Sequence, residues 1–303
     1  MNNHLNAAEV KARRQARLQR GMYLLPSCFT AANIGLGYYA ITQVIAAISH
    51  DAPTHLDWAA TAILFAIPFD AIDGRIARMT NTESEFGKEL DSMADVITFG
   101  VAPSLLAFVW GVHFLPESIN LQLHQHLTQA GAFICFLFLL CGASRLARFN
   151  ISHDAQPRNP GRADRKYFVG MPIPAAAGLL AATVHFFNSY PVEEWWFSIL
   201  WLVLVGLAGF LMVSTWRFWS AKEINLSRRH PFQLLGLIAV IAYVALRYSS
   251  VVLFVVALAY MFSGIWARAA YSWRRRRRNR SPEGIQPADG GAPNADPNPS
   301  HSG

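Results

Sequence analysis

Four carboxylates stand in otherwise apolar surroundings between residues 69 and 100: Asp70, Asp73, Asp91 and Asp95. On helices the first two are spaced i, i+3 and the last two i, i+4, so each pair occupies one helix face and the two faces can converge. Carboxylate oxygens suit hard cations such as Mg²⁺ or Mn²⁺, and two such ions held about 3.5–4 Å apart are a common device for displacement at phosphorus. The expected chemistry is phosphoryl transfer at a membrane surface. The plainer alternative is a set of interfacial ion pairs with Arg75, Arg78 and Lys88, but ionisable groups in spanning segments are expensive and usually functional. Gly74 and Ala77 lie near the first pair on the same face, and Gly87 precedes Asp91 by one turn. A bulky ligand can therefore approach both backbones.

The helices that position these acids must be embedded in a bilayer. Of 303 residues, 53% are hydrophobic and only 15% charged, too apolar for a soluble domain of this length. Apolar runs of roughly spanning length cover residues 29–49, 58–78, 91–115, 128–149, 171–190, 195–215, 232–247 and 250–268, the seventh being short. The expected fold is an all-α integral membrane protein of about eight transmembrane helices. It divides into a basic juxtamembrane segment (1–25), a membrane-embedded catalytic domain (26–270) and a tail (271–303) that is polybasic and then disordered.

Charge sets the orientation. With the N-terminus cytoplasmic, every one of the 26 Lys and Arg residues except Arg247 falls on the inner side, so the positive-inside rule places both termini in the cytoplasm. The acids then lie at the cytoplasmic end of the second span and the start of the third, at headgroup depth. Lys11, Arg13, Arg14, Arg17 and Arg20 form either a basic helix on an anionic bilayer or a tail that only fixes topology. The arginines 274–278 read chiefly as a topology anchor. Cys28, Cys135 and Cys141 lie in apolar runs without metal-ligand spacing, and the first span lacks a cleavage site and should stay in the mature chain. No H-x-K-x4-D arrangement is present, which argues against a histidine-linked intermediate. The expected location is a bacterial cytoplasmic membrane with the site facing the cytoplasm, and no nucleic-acid partner is expected.

The full spacing is Asp70-x-x-Asp73-Gly74-x-x-Ala77-Arg78, eight residues, then Gly87-x-x-x-Asp91-x-x-x-Asp95. It resembles the motif of the CDP-alcohol phosphotransferase family, with every position filled. The resemblance implies a helical-bundle membrane enzyme, a cytoplasm-facing polar cavity, two divalent cations and a homodimer. It implies that an alcohol attacks the β-phosphorus of a CDP-linked lipid and CMP leaves. By position, Asp70, Asp73, Asp91 and Asp95 would be the metal ligands, with Asp95 also the catalytic base, while Gly74 and Arg78 would bind the CDP-lipid beside Ala77 and Gly87. Ser84 falls where family members often place a hydroxyl near the nucleotide, and is equally suited to a helix N-cap. Thr30 and Asn33 lie at the same depth on the first span, facing either the nucleotide or backbone.

The acceptor must be argued from other stretches. Residues 86–95 with 99–103, 144–150 (Ser-Arg-Leu-Ala-Arg-Phe-Asn) and 167–175 (Tyr-Phe-Val-Gly-Met-Pro-Ile-Pro-Ala) look like the phosphatidylserine synthase branch, over about residues 26–180. That branch implies CDP-diacylglycerol and L-serine as substrates. Arg145, Arg148 and Asn150 end a span that should reach the layer of the aspartates, and arginine suits serine's carboxylate, although arginines there also satisfy the positive-inside rule. Glycerol 3-phosphate, inositol phosphate and choline stay open as acceptors, the basic residues Arg158, Arg162, Arg165 and Lys166 favouring a phosphorylated one. A transporter is the reading from another class; clustering of the acids at one interface, rather than at mid-membrane, weighs against it.

Overall fold

A computed structural model describes residues 7–80, 85–116, 120–154, 167–192, 194–219 and 250–278. The chain opens with α1 (Ala7–Ser49), whose 43 residues extend about 65 Å. That is twice the hydrocarbon thickness of a bilayer. Its apolar part, Cys28–Ser49, is long enough to span, and the basic stretch continues the same helix without a break. A tight turn through Asp51, with φ of 48°, leads into α2 (Thr54–Thr80). Ala40, Val44 and Ala47 of α1 are buried against α2, which buries Leu56, Ala59, Ala60, Ile63 and Ala66. These recur every three or four residues, and their small side chains let two apolar helices approach closely where lipid offers no hydrophobic drive.

The third spanning segment changes geometry along its length: α3 (Glu85–Asp95), a π-helical stretch π1 (Val96–Val101), α4 (Ala102–Phe108) and a second stretch π2 (Val109–His113). Pro103 gives a reason for the first change. It has no N–H to donate, and in a regular helix its ring would meet the carbonyl four residues back; the wider turn ahead of it relieves this, and the Ala102 N–H reaches back to Ile97 O. At π2 the carbonyls find side chains of the next layer. Trp201 Nε1 donates to Ala107 O at 2.9 Å, and Ser198 Oγ to Gly111 O at 2.7 Å.

Next come α5 (Leu121–Asp154), α6 (Ile173–Phe186), α7 (Trp195–Val213) and α8 (Ser250–Arg278). Helix α6 is only 14 residues long and is buried on nearly every side, packed against α2, α8, π1 and α7. Pro172 and Pro174 mark its start, as their fixed φ and missing N–H groups allow at a first turn. Among the described residues the chain is all-helical apart from one short antiparallel ribbon of β1 (Tyr167–Val169) and β2 (Arg217–Trp219). Gly170, at φ 80°, turns the chain out of it, donating to Trp216 O at 2.8 Å, and the Met171 N–H reaches Leu211 O. The ribbon thereby ties the start of α6 to the end of α7.

Among the described residues, five helices are long and apolar enough to cross a membrane: Cys28–Ser49, Thr54–Ile72, Phe86–His113, Leu121–Ile151 and Trp195–Val213, with Ile173–Phe186 and Ser250–Trp266 as shorter apolar helices. The expected span at 232–247 lies outside the described residues. The bundle has two distinct ends. Phe29 meets Phe69 near the start of the apolar part of α1, and Asn150 reaches Ser92 at one end; Trp110, Phe187, Phe197 and Trp201 pack together at the other. Helix α8 runs from the far end, where Phe254 stacks on Phe186, to the near end, where Tyr260 and Gly264 meet Phe218 of the ribbon.

Candidate metal centre

Three of the four expected acids converge. One carboxylate oxygen from each of Asp70, Asp91 and Asp95 can be chosen so that all lie within 4.8 Å of one another, on half-buried side chains. Asp70 comes from the last turns of α2, just past Pro68. Asp91 and Asp95 come from α3, on which Met93 is exposed and Ala94 fully buried. Asp73, Gly74, Ala77 and Arg78 belong to the helical backbone of α2 immediately after Asp70, but their side chains lie outside the described residues, as does Ser84 altogether. Gly87 lies half-buried one turn ahead of Asp91.

The donor set is oxygen only and strongly anionic. Oδ1 of Asp95 is buried without a hydrogen-bond partner. A buried carboxylate oxygen left unmatched, beside two further carboxylates, fits a hard divalent cation bound through oxygen.

Arg145 of α5 supplies counter-charge from the side. It interacts electrostatically with Asp95, Asp70 and Tyr260 of α8, its guanidinium lies 5.9 Å from the centre of the Phe149 ring, and its Nε is buried without a partner. The neighbouring residues of α5 point elsewhere. Arg148 donates to the Val213 carbonyl at the C-terminus of α7, at 3.2 Å, where a cation complements the helix end. Asn150 Nδ2 donates to Ser92 Oγ at 2.9 Å, joining the end of α5 to the turn between Asp91 and Asp95. In this conformation, then, Arg145 is the member of the expected acceptor set that faces the acids.

On α1, Thr30 and Asn33 are buried. The Asn33 carbonyl accepts a 2.9 Å hydrogen bond from Thr98 Oγ1 in π1, while both side-chain amide atoms of Asn33 are buried and unmatched. Three residues around the centre are not identified by sequence reasoning: Ser92, Thr98 and Tyr260. Thr98 follows Asp95 by three residues and offers a weak spacing cue. Tyr260 lies 165 positions from Asp95 in an apolar run, and no local pattern singles it out.

The family described as CDP-alcohol phosphatidyltransferase matches residues 23–199. A Helicobacter pylori protein (strain ATCC 700392 / 26695) named CDP-diacylglycerol–serine O-phosphatidyltransferase is 38% identical over 205 residues, covering 67% of this chain and 75% of its own. A Mycobacterium bovis protein of the same name is 29% identical over 269 residues, covering 87% of this chain and 83% of its own. A Methanocaldococcus jannaschii protein, again of that name, is 38% identical over 152 residues, half of this chain and 59% of its own.

Proposed function

The chain belongs to the CDP-alcohol phosphatidyltransferase family, and from that premise we propose that it transfers the phosphatidyl group of CDP-diacylglycerol to the hydroxyl of L-serine, giving phosphatidylserine and CMP. The observation that carries this reading is the convergence of Asp70, Asp91 and Asp95 with an unmatched Asp95 oxygen. The choice of serine follows the names of the relatives.

Asp70, Asp73, Asp91 and Asp95 are the residues that would hold two divalent cations, Mg²⁺ or Mn²⁺. When bound, such ions neutralise charge on the pyrophosphate and on the departing CMP. Asp95 takes the proton from the serine hydroxyl. The resulting oxygen forms a bond to the phosphatidyl phosphorus as the bond from that phosphorus to the CMP oxygen breaks. Arg78 and the small residues Gly74, Ala77 and Gly87 receive the CDP-lipid, with Ser84, Thr30 and Asn33 on the nucleotide side. The buried, unmatched amide of Asn33 suits a polar group brought by substrate. Arg145 faces the acids and binds the serine carboxylate, holding the hydroxyl near Asp95. Arg148 and Asn150 complete the acceptor side, while their contacts to Val213 and Ser92 hold α5 in place.

The enzyme works as a homodimer of eight-span subunits, in a bacterial cytoplasmic membrane with anionic lipid, its site and both termini facing the cytoplasm. Support for this orientation comes from the distribution of Lys and Arg. The test is an acceptor panel. Purified protein with CDP-diacylglycerol should incorporate labelled serine and release CMP in equal amount, with no product from glycerol 3-phosphate, inositol phosphate or choline. Incorporation of glycerol 3-phosphate but not serine refutes the assignment.

A further inference from the structure

Most hydroxyls in the spanning helices turn back on their own helix. Ser92, Thr128 and Thr183 each donate to the carbonyl four residues earlier, at 3.0, 2.8 and 2.7 Å, the usual habit of Ser and Thr in helices. Thr98 does not. It is fully buried, and its hydroxyl crosses to another helix to reach the Asn33 carbonyl of α1. One turn further along α1, at i+4 from Asn33, Gly37 makes room for it. A Cβ at Gly37 would overlap Thr98 Oγ1 and come within 2.9 Å of Thr98 Cα. The threonine is thus held by a hydrogen bond at one position of α1 and by a missing side chain at the next.

This contact falls on π1, which begins at the residue after Asp95. A π turn holds one residue more than the corresponding α turn, so reverting to α geometry would rotate the helix on its N-terminal side by roughly 100° relative to the helix on its C-terminal side. Asp95 is the last residue of the N-terminal side. We propose that Thr98 and Gly37 form a clamp that holds π1 in register with α1, and that Thr98 is thereby a positioning residue for Asp95. The inference rests on the reading that Asp95 acts as base and ligand. The clamp carries no charge; it acts through the direction in which Asp95 points.

The test uses purified full-length protein with steady-state kinetics on both substrates and Mn²⁺ binding followed by electron paramagnetic resonance. Thr98→Val, which keeps the shape and removes the donor, should lower kcat on the order of tenfold and weaken Mn²⁺ binding. KM for serine and CDP-diacylglycerol should change by no more than about twofold. Thr98→Ser should restore both kcat and Mn²⁺ affinity. Gly37→Ala, pressing on the same threonine from the other side, should reproduce the valine pattern. The clamp is refuted if Thr98→Val or a folded Gly37→Ala keeps native kcat and Mn²⁺ affinity, or if Thr98→Ser is as impaired as Thr98→Val, since packing rather than the hydrogen bond would then matter. An Asp95→Asn protein that still turns over removes the role of Asp95 itself. That outcome is distinct from an inactive Asp95→Asn protein beside an unimpaired Thr98→Val one, which removes the clamp alone.

Discussion

At the residue scale, the acids repel one another. Two carboxylate charges within 4.8 Å of each other repel by about 3 kcal/mol or more at an effective dielectric of roughly 20. Arg145 offsets part of this from one side. A divalent cation changes the sign of the interaction and links the helices. Adding Mn²⁺ to chelator-treated protein should therefore raise its thermal midpoint, in proportion to the logarithm of free ion above the dissociation constant. The shift should vanish in Asp70→Asn and Asp91→Asn. A midpoint that ignores Mn²⁺, or that rises equally in both variants, means that these acids are not the ligands.

At the scale of elements, the third spanning segment is where regular geometry gives way, and its two π stretches are held differently. Thr98 braces the first against α1; Trp201 and Ser198 of α7 brace the second by filling carbonyls at Ala107 and Gly111. Gly111 lets the Trp201 indole lie directly against the backbone, where any Cβ would overlap Cδ1 and Nε1 of the ring. Gly111→Ala should destabilise the protein by about 1–3 kcal/mol, the usual range for overpacking a filled core. Because π2 lies at the end away from the acids, residual activity in the folded fraction should be close to native. Comparison of thermal midpoint with activity per folded molecule checks this, and a stable but inactive variant would contradict it. None of this geometry was readable from sequence. The acids, spaced on helix faces, announce themselves by local period, whereas a π turn depends on which side chains of another helix reach its carbonyls. Gly37, Gly111 and Trp201 look like ordinary membrane residues until the packing is known.

For the whole molecule, the sequence carried the apolar runs and the cation asymmetry, because both are properties of stretches rather than of contacts. Convergence of Asp70 with Asp91 and Asp95 was also legible, being two periodic faces joined by a short loop. Arg145 was legible as a cation at the right depth. That Arg148 turns away to the Val213 carbonyl was not, since that depends on the end of α7 lying beside Gly170. The packing adds an independent constraint on topology. The start of the apolar part of α1, the acids, the ribbon and the middle of α8 all lie toward one end of the bundle, and π2 with the start of α5 lies toward the other. If that first end faces the cytoplasm, as proposed from the distribution of cations, single-cysteine labelling in intact cells has a definite outcome. A cysteine in place of His124 in a background lacking Cys28, Cys135 and Cys141 should react with an impermeant maleimide from outside, while one in place of Ser281 should react only after permeabilisation. Protection of the His124 position together with exposure of the Ser281 position would invert the molecule, and would leave the acids facing away from any cytoplasmic supply of nucleotide-activated lipid.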